Sequence, residues 1–192
     1  KSVLWKRLAP EVINSEKIDD MMQDGHDLLA KNKIIECCEL WLKVWGYLKE
    51  RFRPEMRSIS EAEQVFSGLQ SLYNWCGDLE MELYNAGIKD DKFFEKRIEY
   101  CKEFIELFPE SDGLYISNMM RSMAESYFAL KIIDKGEEVF KELIKNFPEY
   151  VWGFICWGDQ YSNIGSDLYN FDKARSAYNL GLEKCTSDRE IL

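Results

Sequence analysis

The sequence predicts an all-α chain of antiparallel helix hairpins, each stacked on the last. Three observations carry this. No segment sustains a period-two alternation, so no sheet is expected. Nine residues are written nearly twice, "KEFIELFPE" from Lys102 and "KELIKNFPE" from Lys141, 39 positions apart. One helix face is also written twice, 34 positions apart: Met120, Met123, Ala124 and Tyr127, then Phe154, Trp157, Gly158 and Tyr161. Both copies have the spacing 0, 3, 4, 7 of a single side of an α-helix.

Taken in order, residues 1–15 form a short lead containing Pro10, and Asn14 and Ser15 are candidate N-caps. Helices are expected over 16–31, 33–53, 60–86, 91–108, 113–131, 134–147, 149–165 and 170–184, about eight in all. The breaks between them hold turn chemistry: Asn32, Arg53-Pro54, Gly87, Phe108-Pro109, Phe147-Pro148 and Gly165-Ser166. Proline ends a helix because it lacks an N–H and its ring clashes with the preceding turn. In 33–53, "ELWLKVWGYLKERF" places Trp41, Trp45 and Leu48 on one side, with Leu40, Val44 and Tyr47 nearby. So wide an apolar arc belongs to a buried helix; the alternative is an exposed stripe for a partner.

The repeated face extends into a second helix. Gly136, Phe140 and Leu143 follow the first copy, and Ala174, Tyr178 and Gly181 follow the second, at spacing 0, 4, 7. The loop "IGSDLYNFD" makes the second hairpin four residues longer. Large residues pack, and the small ones, Ala124 or Gly158, admit the partner helix. Phe140, Tyr127, Phe154, Trp157 and Tyr178 are expected to be mostly buried. This order of residues, closed by Pro148, resembles the tetratricopeptide repeat. The likeness covers 117–149 and, with the long loop, 150–185. Before Pro109 the pattern departs: Arg97 and Cys101 stand where a small and an aromatic residue belong. The resemblance implies one continuous domain over 16–192: irregular hairpins over 16–110 and tetratricopeptide-like repeats over 111–192, wound as a right-handed superhelix. A wider resemblance rests on "LAPEVINSEKIDDMM", "WLKVWGYLKERFRPEMRSI", "FSGLQSLYNWCGDLEMELYNAGI", "AESYFAL" and "WGFICWGDQY". These look like the repeat region of bacterial proteins that carry a small SEC-C zinc-binding motif. The motif's cysteine cluster does not occur in this sequence. Zinc is therefore expected only if that motif precedes Lys1 in a longer protein, and no cofactor is assigned to this chain.

Bulk properties narrow the function classes. The formal charge is −10 and the pI near 4.8. Such a chain repels phosphate backbones and anionic membranes, so neither nucleic acid nor membrane is an expected partner. A partner with basic character is compatible. The longest uncharged stretch, 64–77, has 14 residues, short of the roughly 20 a membrane helix needs. No signal peptide is visible, and the first residue is Lys rather than Met, as in a fragment. Cys37, Cys38, Cys76, Cys101, Cys156 and Cys185 form no C-x-x-C pair and sit mostly among apolar neighbours. Reduced core thiols of a cytoplasmic protein are expected.

Catalytic signals are poor. His26 has Asp24 and Asp27 beside it, but no motif ties a nucleophile to it; a solvent-facing or capping role is expected. Metal-ligand spacing, Glu-x-x-His pairs and a phosphate-cradling glycine loop do not occur. The carboxylates Asp78, Glu80, Glu82, Glu137 and Glu138 read as solvated helix faces. By the tetratricopeptide resemblance, Asn118, Arg121, Glu125 and Phe128, with Trp152, Ile155, Asp159 and Asn163, face an inner groove. The expected function is a non-catalytic scaffold or adaptor binding a protein or peptide along that concave face. Asn118, Arg121, Glu125, Trp152, Asp159 and Asn163 are its groove residues. The alternative is a ligand-sensing helical domain that relays to another domain; an enzyme ranks last.

Overall fold

The computed structural model describes residues 13–186. The lead expected over 1–15 lies almost wholly outside them. Among the described residues there are nine α-helices and no strand. Contacts divide the chain into two compact units between Asp90 and Asp91.

In the first unit, α1 (Ser15–Ala30) opens on Asn14, whose Oδ1 accepts from the Lys17 N–H at 2.8 Å. Its buried Ile18, Met21, Met22 and Gly25 follow the helical period. They meet α2 (Ile34–Lys49), where Cys37, Cys38, Trp41, Val44, Trp45 and Leu48 are all buried. The tryptophan helix is therefore core. Gly25 is required for this packing: a Cβ there would lie 1.8 Å from Trp41 Nε1. The indole N–H of Trp41 donates to the Met22 carbonyl at 3.1 Å, and its ring meets Trp75 edge-on at 5.7 Å.

The helix expected over 60–86 is two helices, α3 (Ile59–Val65) and α4 (Leu72–Gly87), which accounts for the ninth element. Side chains supply the hydrogen bonds that a continuous helix would have made. Asp19 of α1 accepts from the Leu69 and Gln70 N–H groups at 2.8 and 3.0 Å, and Ser71 caps α4 at the Asn74 N–H. Ser58 and Glu61 form a reciprocal capping box at the start of α3. The helix expected to reach residue 53 ends at Lys49.

The second unit contains α5 (Lys92–Leu107), α6 (Gly113–Ala129), α7 (Ile133–Asn146), α8 (Val151–Ser162) and α9 (Phe171–Lys184). Each packs on the next, and α6 also packs on α8. The small positions work as expected. A Cβ on Gly158 would lie 2.3 Å from the Tyr178 ring, and one on Gly136 would lie 2.4 Å from the Phe128 ring. Phe140 and Phe154 are fully buried. Tyr127, Trp157 and Tyr178 are mostly buried, as expected, though each keeps an edge in solvent. Trp157 donates to Glu137 at 3.1 Å, Tyr178 donates to Asp159 at 2.7 Å, and the Lys135 ammonium lies 5.7 Å over the Tyr127 ring. Phe128, read as a groove residue, is 2 % exposed and packs on Phe140 and Tyr161.

Candidate functional site

The α6/α8 face holds the groove residues. Asn118, Arg121 and Glu125 lie three and four residues apart on α6, so they form one stripe. Leu114 begins the same stripe one turn earlier and is 62 % exposed. On α8, Trp152, Cys156 and Asp159 succeed one another by the same spacing. The stripes meet. Asn118 Oδ1 accepts from the Tyr150 hydroxyl at 2.6 Å. Further along, Cys156 lies against Glu125 and Arg121. The two helices thus run in the same direction, side by side.

A buried cation supports this seam from below. Arg97 of α5 is 3 % exposed. It donates to the Ser122 carbonyl at 3.1 Å, to Ser126 Oγ at 3.2 Å and to Glu125 Oε2 at 3.3 Å. Glu125 also faces Arg121 at 3.8 Å. One carboxylate is therefore held between two guanidinium groups, as a buried charge must be. Burial pushes the Cys156 thiol up to about 12; Glu125 adds to this and Arg121 opposes it. A thiol so held stays protonated at neutral pH and is a poor nucleophile.

The predicted residues divide by what they already hold. Asn118 is taken up by Tyr150, Asp159 by Tyr178 and Glu125 by Arg97. Asn163 ends α8 and accepts from the Gly165 N–H at 3.0 Å, so it shapes the loop. Ile155 packs on the Val151, Phe154 and Cys185 cluster. Trp152 is 43 % exposed, and Arg121 keeps a quarter of its side chain in solvent. Sequence reasoning missed Leu114, Tyr150, Cys156 and Arg97. Leu114 was recoverable by stepping the stripe back one turn, and Arg97 already stood out as a misfit in the repeat.

Two other expectations change. Glu137 is not a solvated carboxylate. It accepts from Trp157 and from the Tyr161 hydroxyl, and pairs with Lys141 at 3.1 Å. Burial alone would raise its pKa; the hydrogen bonds from Tyr161, Trp157 and Lys141 outweigh that and hold it below the usual carboxylate range. His26 is neither a cap nor fully in solvent: it is half-buried with its ring 4.9 Å from Trp41.

Among the described residues no group of three or more His, Cys, Asp and Glu side chains converges as metal ligands would. No helix of those residues is long and apolar enough to cross a membrane. Compared with family models, curated proteins and solved structures, the chain matches none.

Proposed function

We propose that the chain is a non-catalytic scaffold, a tetratricopeptide-like repeat of the cytoplasm, that holds an extended segment of another protein along α6 and α8. Kinship with the repeat regions beside SEC-C motifs belongs to the same reading. The side-by-side packing of α6 on α8 and the glycine contacts at Gly136 and Gly158 support the repeat. One observation carries the binding site: two large apolar side chains, Leu114 and Trp152, stand exposed beside a polar seam that includes the Arg121 guanidinium. An apolar side chain of the segment rests on Trp152, since aromatic anchors dominate interfaces. Arg121 donates to a carbonyl or carboxylate beside it. The acidity of the chain favours a segment with basic residues and makes association fall with salt.

The test is selection from a displayed library of random peptides, followed by affinity measurement on single variants. Peptides pairing an apolar residue with basic ones should emerge. Trp152→Ala should weaken them by about thirtyfold, the equivalent of a ~2 kcal/mol hot spot, and Arg121→Ala should weaken them too. Selected peptides that bind both variants as tightly as the parent would remove the groove from consideration.

A further inference from the structure

The space between α5, α6 and α7 is not filled: a cavity of about 440 Å³ opens there. Its floor is Ile105, Ile116, Met120, Met123, Val139 and Phe147. The repeat bears on its size. At 34 residues' distance, Phe154 and Trp157 occupy the positions that Met120 and Met123 hold here. Aligning Phe140 with Tyr178 likewise puts Leu180 where Glu142 stands. In the later repeat Phe154 is fully buried with Val151 and Cys185, and Ile144, Ile155 and Leu180 close over them. In the earlier one, two flexible thioethers and a carboxylate stand in those places, and the opening is about 440 Å³, against about 300 Å³ beside Trp157 and Leu180 in the later repeat.

The rim is charged. Glu106 and Glu142 are exposed there beside Asn146 and Lys102. Lys102 leans to Glu106 at 3.9 Å, and among the described residues no ion pair engages Glu142. The opening thus carries one more negative than positive group.

We propose that this cavity binds a small organic amine, with an aromatic body on Met120 and Met123 and its ammonium at Glu142 and Glu106. A dry apolar cavity of about 150 Å³ holds one benzene. The larger volume here takes a two-ring body and falls within the roughly 300–1,000 Å³ of small-molecule sites. Methionine suits the floor because its thioether is polarizable and adapts to an aromatic ring. The rim carboxylates reject an anion of the same shape. This site does not depend on the peptide groove: Met120 and Met123 lie on a different face of α6 from Asn118, Arg121 and Glu125.

The test uses the full chain labelled with carbon-13 at the methionine methyls. Tryptamine, indole and indole-3-acetate are titrated while the Met120 and Met123 signals are followed. Tryptamine should shift both, saturably, and bind more tightly than indole, with indole-3-acetate weakest. Glu142→Gln, on the exposed rim, should weaken tryptamine about two- to fivefold, the worth of a surface ion pair, and leave indole unchanged. Met123→Trp should place an indole across the cavity and abolish the Met120 response, with circular dichroism confirming the fold. Methyl signals that ignore all three probes at millimolar concentration overturn the site. Equal affinity for the three, unmoved by Glu142→Gln, overturns the preference for an amine. A folded Met123→Trp protein that still binds tryptamine overturns the location.

Discussion

Glu137 shows how a single side chain escapes a sequence reading. Its neighbours Glu138 and Lys141 mark an exposed helix face, and nothing local says that Trp157 and Tyr161 will donate to it from 20 and 24 residues away. Those bonds favour the charged form, so the folded-state pKa is depressed. The stabilisation is then fully present above the unfolded value, about 4.3, and is lost as pH falls through the folded one. Glu137→Gln should lower stability at pH 7 by about 1.5–3 kcal/mol, as for hydrogen bonds to a charged group. The gap to wild type should narrow progressively below about pH 4.3. Urea unfolding of both proteins from pH 7 to pH 3 checks this; a gap that does not change with pH rules out the depressed carboxylate. The groove divides in the same way. Its stripes were legible from spacing, but not that Tyr150, Tyr178 and Arg97 would engage Asn118, Asp159 and Glu125, since partners distant in sequence leave no periodic trace.

At the scale of elements, helix ends were legible at Phe108-Pro109 and Phe147-Pro148, but not before Pro54, where the helix stops at Lys49. The break at 66–71 was not legible either, because Asp19, some 50 residues away, supplies the acceptor. Two hairpin turns share a geometry that the sequence signalled only at Asn32. Asn32 after α1 and Lys131 after α6 have φ of 59° and 62°. In each turn the next N–H reaches back five residues, Lys33 to the Leu28 carbonyl and Ile132 to the Tyr127 carbonyl. This is the helix-ending motif that favours glycine, and sometimes asparagine, in the left-handed position. Asparagine accepts it at modest cost; lysine has no such local compensation. Lys131→Gly should therefore stabilise the protein by about 1 kcal/mol, seen as a higher urea midpoint with an unchanged slope. A destabilised variant would mean that the Lys131 side chain makes a contact worth more than the backbone strain.

For the whole molecule, the repeat pattern separated irregular hairpins from regular ones at residue 110, whereas contacts separate two units between Asp90 and Asp91. The difference is α5. Its repeat signature is poor because Arg97 and Cys101 break it, yet Arg97 ties it to α6 through Ser122, Ser126 and Glu125. Phe104 adds a stacked contact with Tyr115 at 4.8 Å. A residue that spoils a motif can still cross-link two helices. Residues 91–192 expressed alone should be helical by circular dichroism and melt in one cooperative transition. A fragment beginning at 111 should melt at a lower temperature, having lost α5. Equal melting of the two fragments would show that α5 is not part of this unit.

The order of packing in 91–186 also bears on time. Its extensive pairings join helices one or two elements apart, α5 with α6, α6 with α7 and α8, α7 with α8, and α8 with α9. No strand end must find a distant mate before the next contact forms, and closing such short loops costs little chain entropy. Topologies this local refold in microseconds to milliseconds rather than seconds. The chain can therefore acquire this half of its structure hairpin by hairpin as it leaves the ribosome, each new pair of helices landing on a surface already in place.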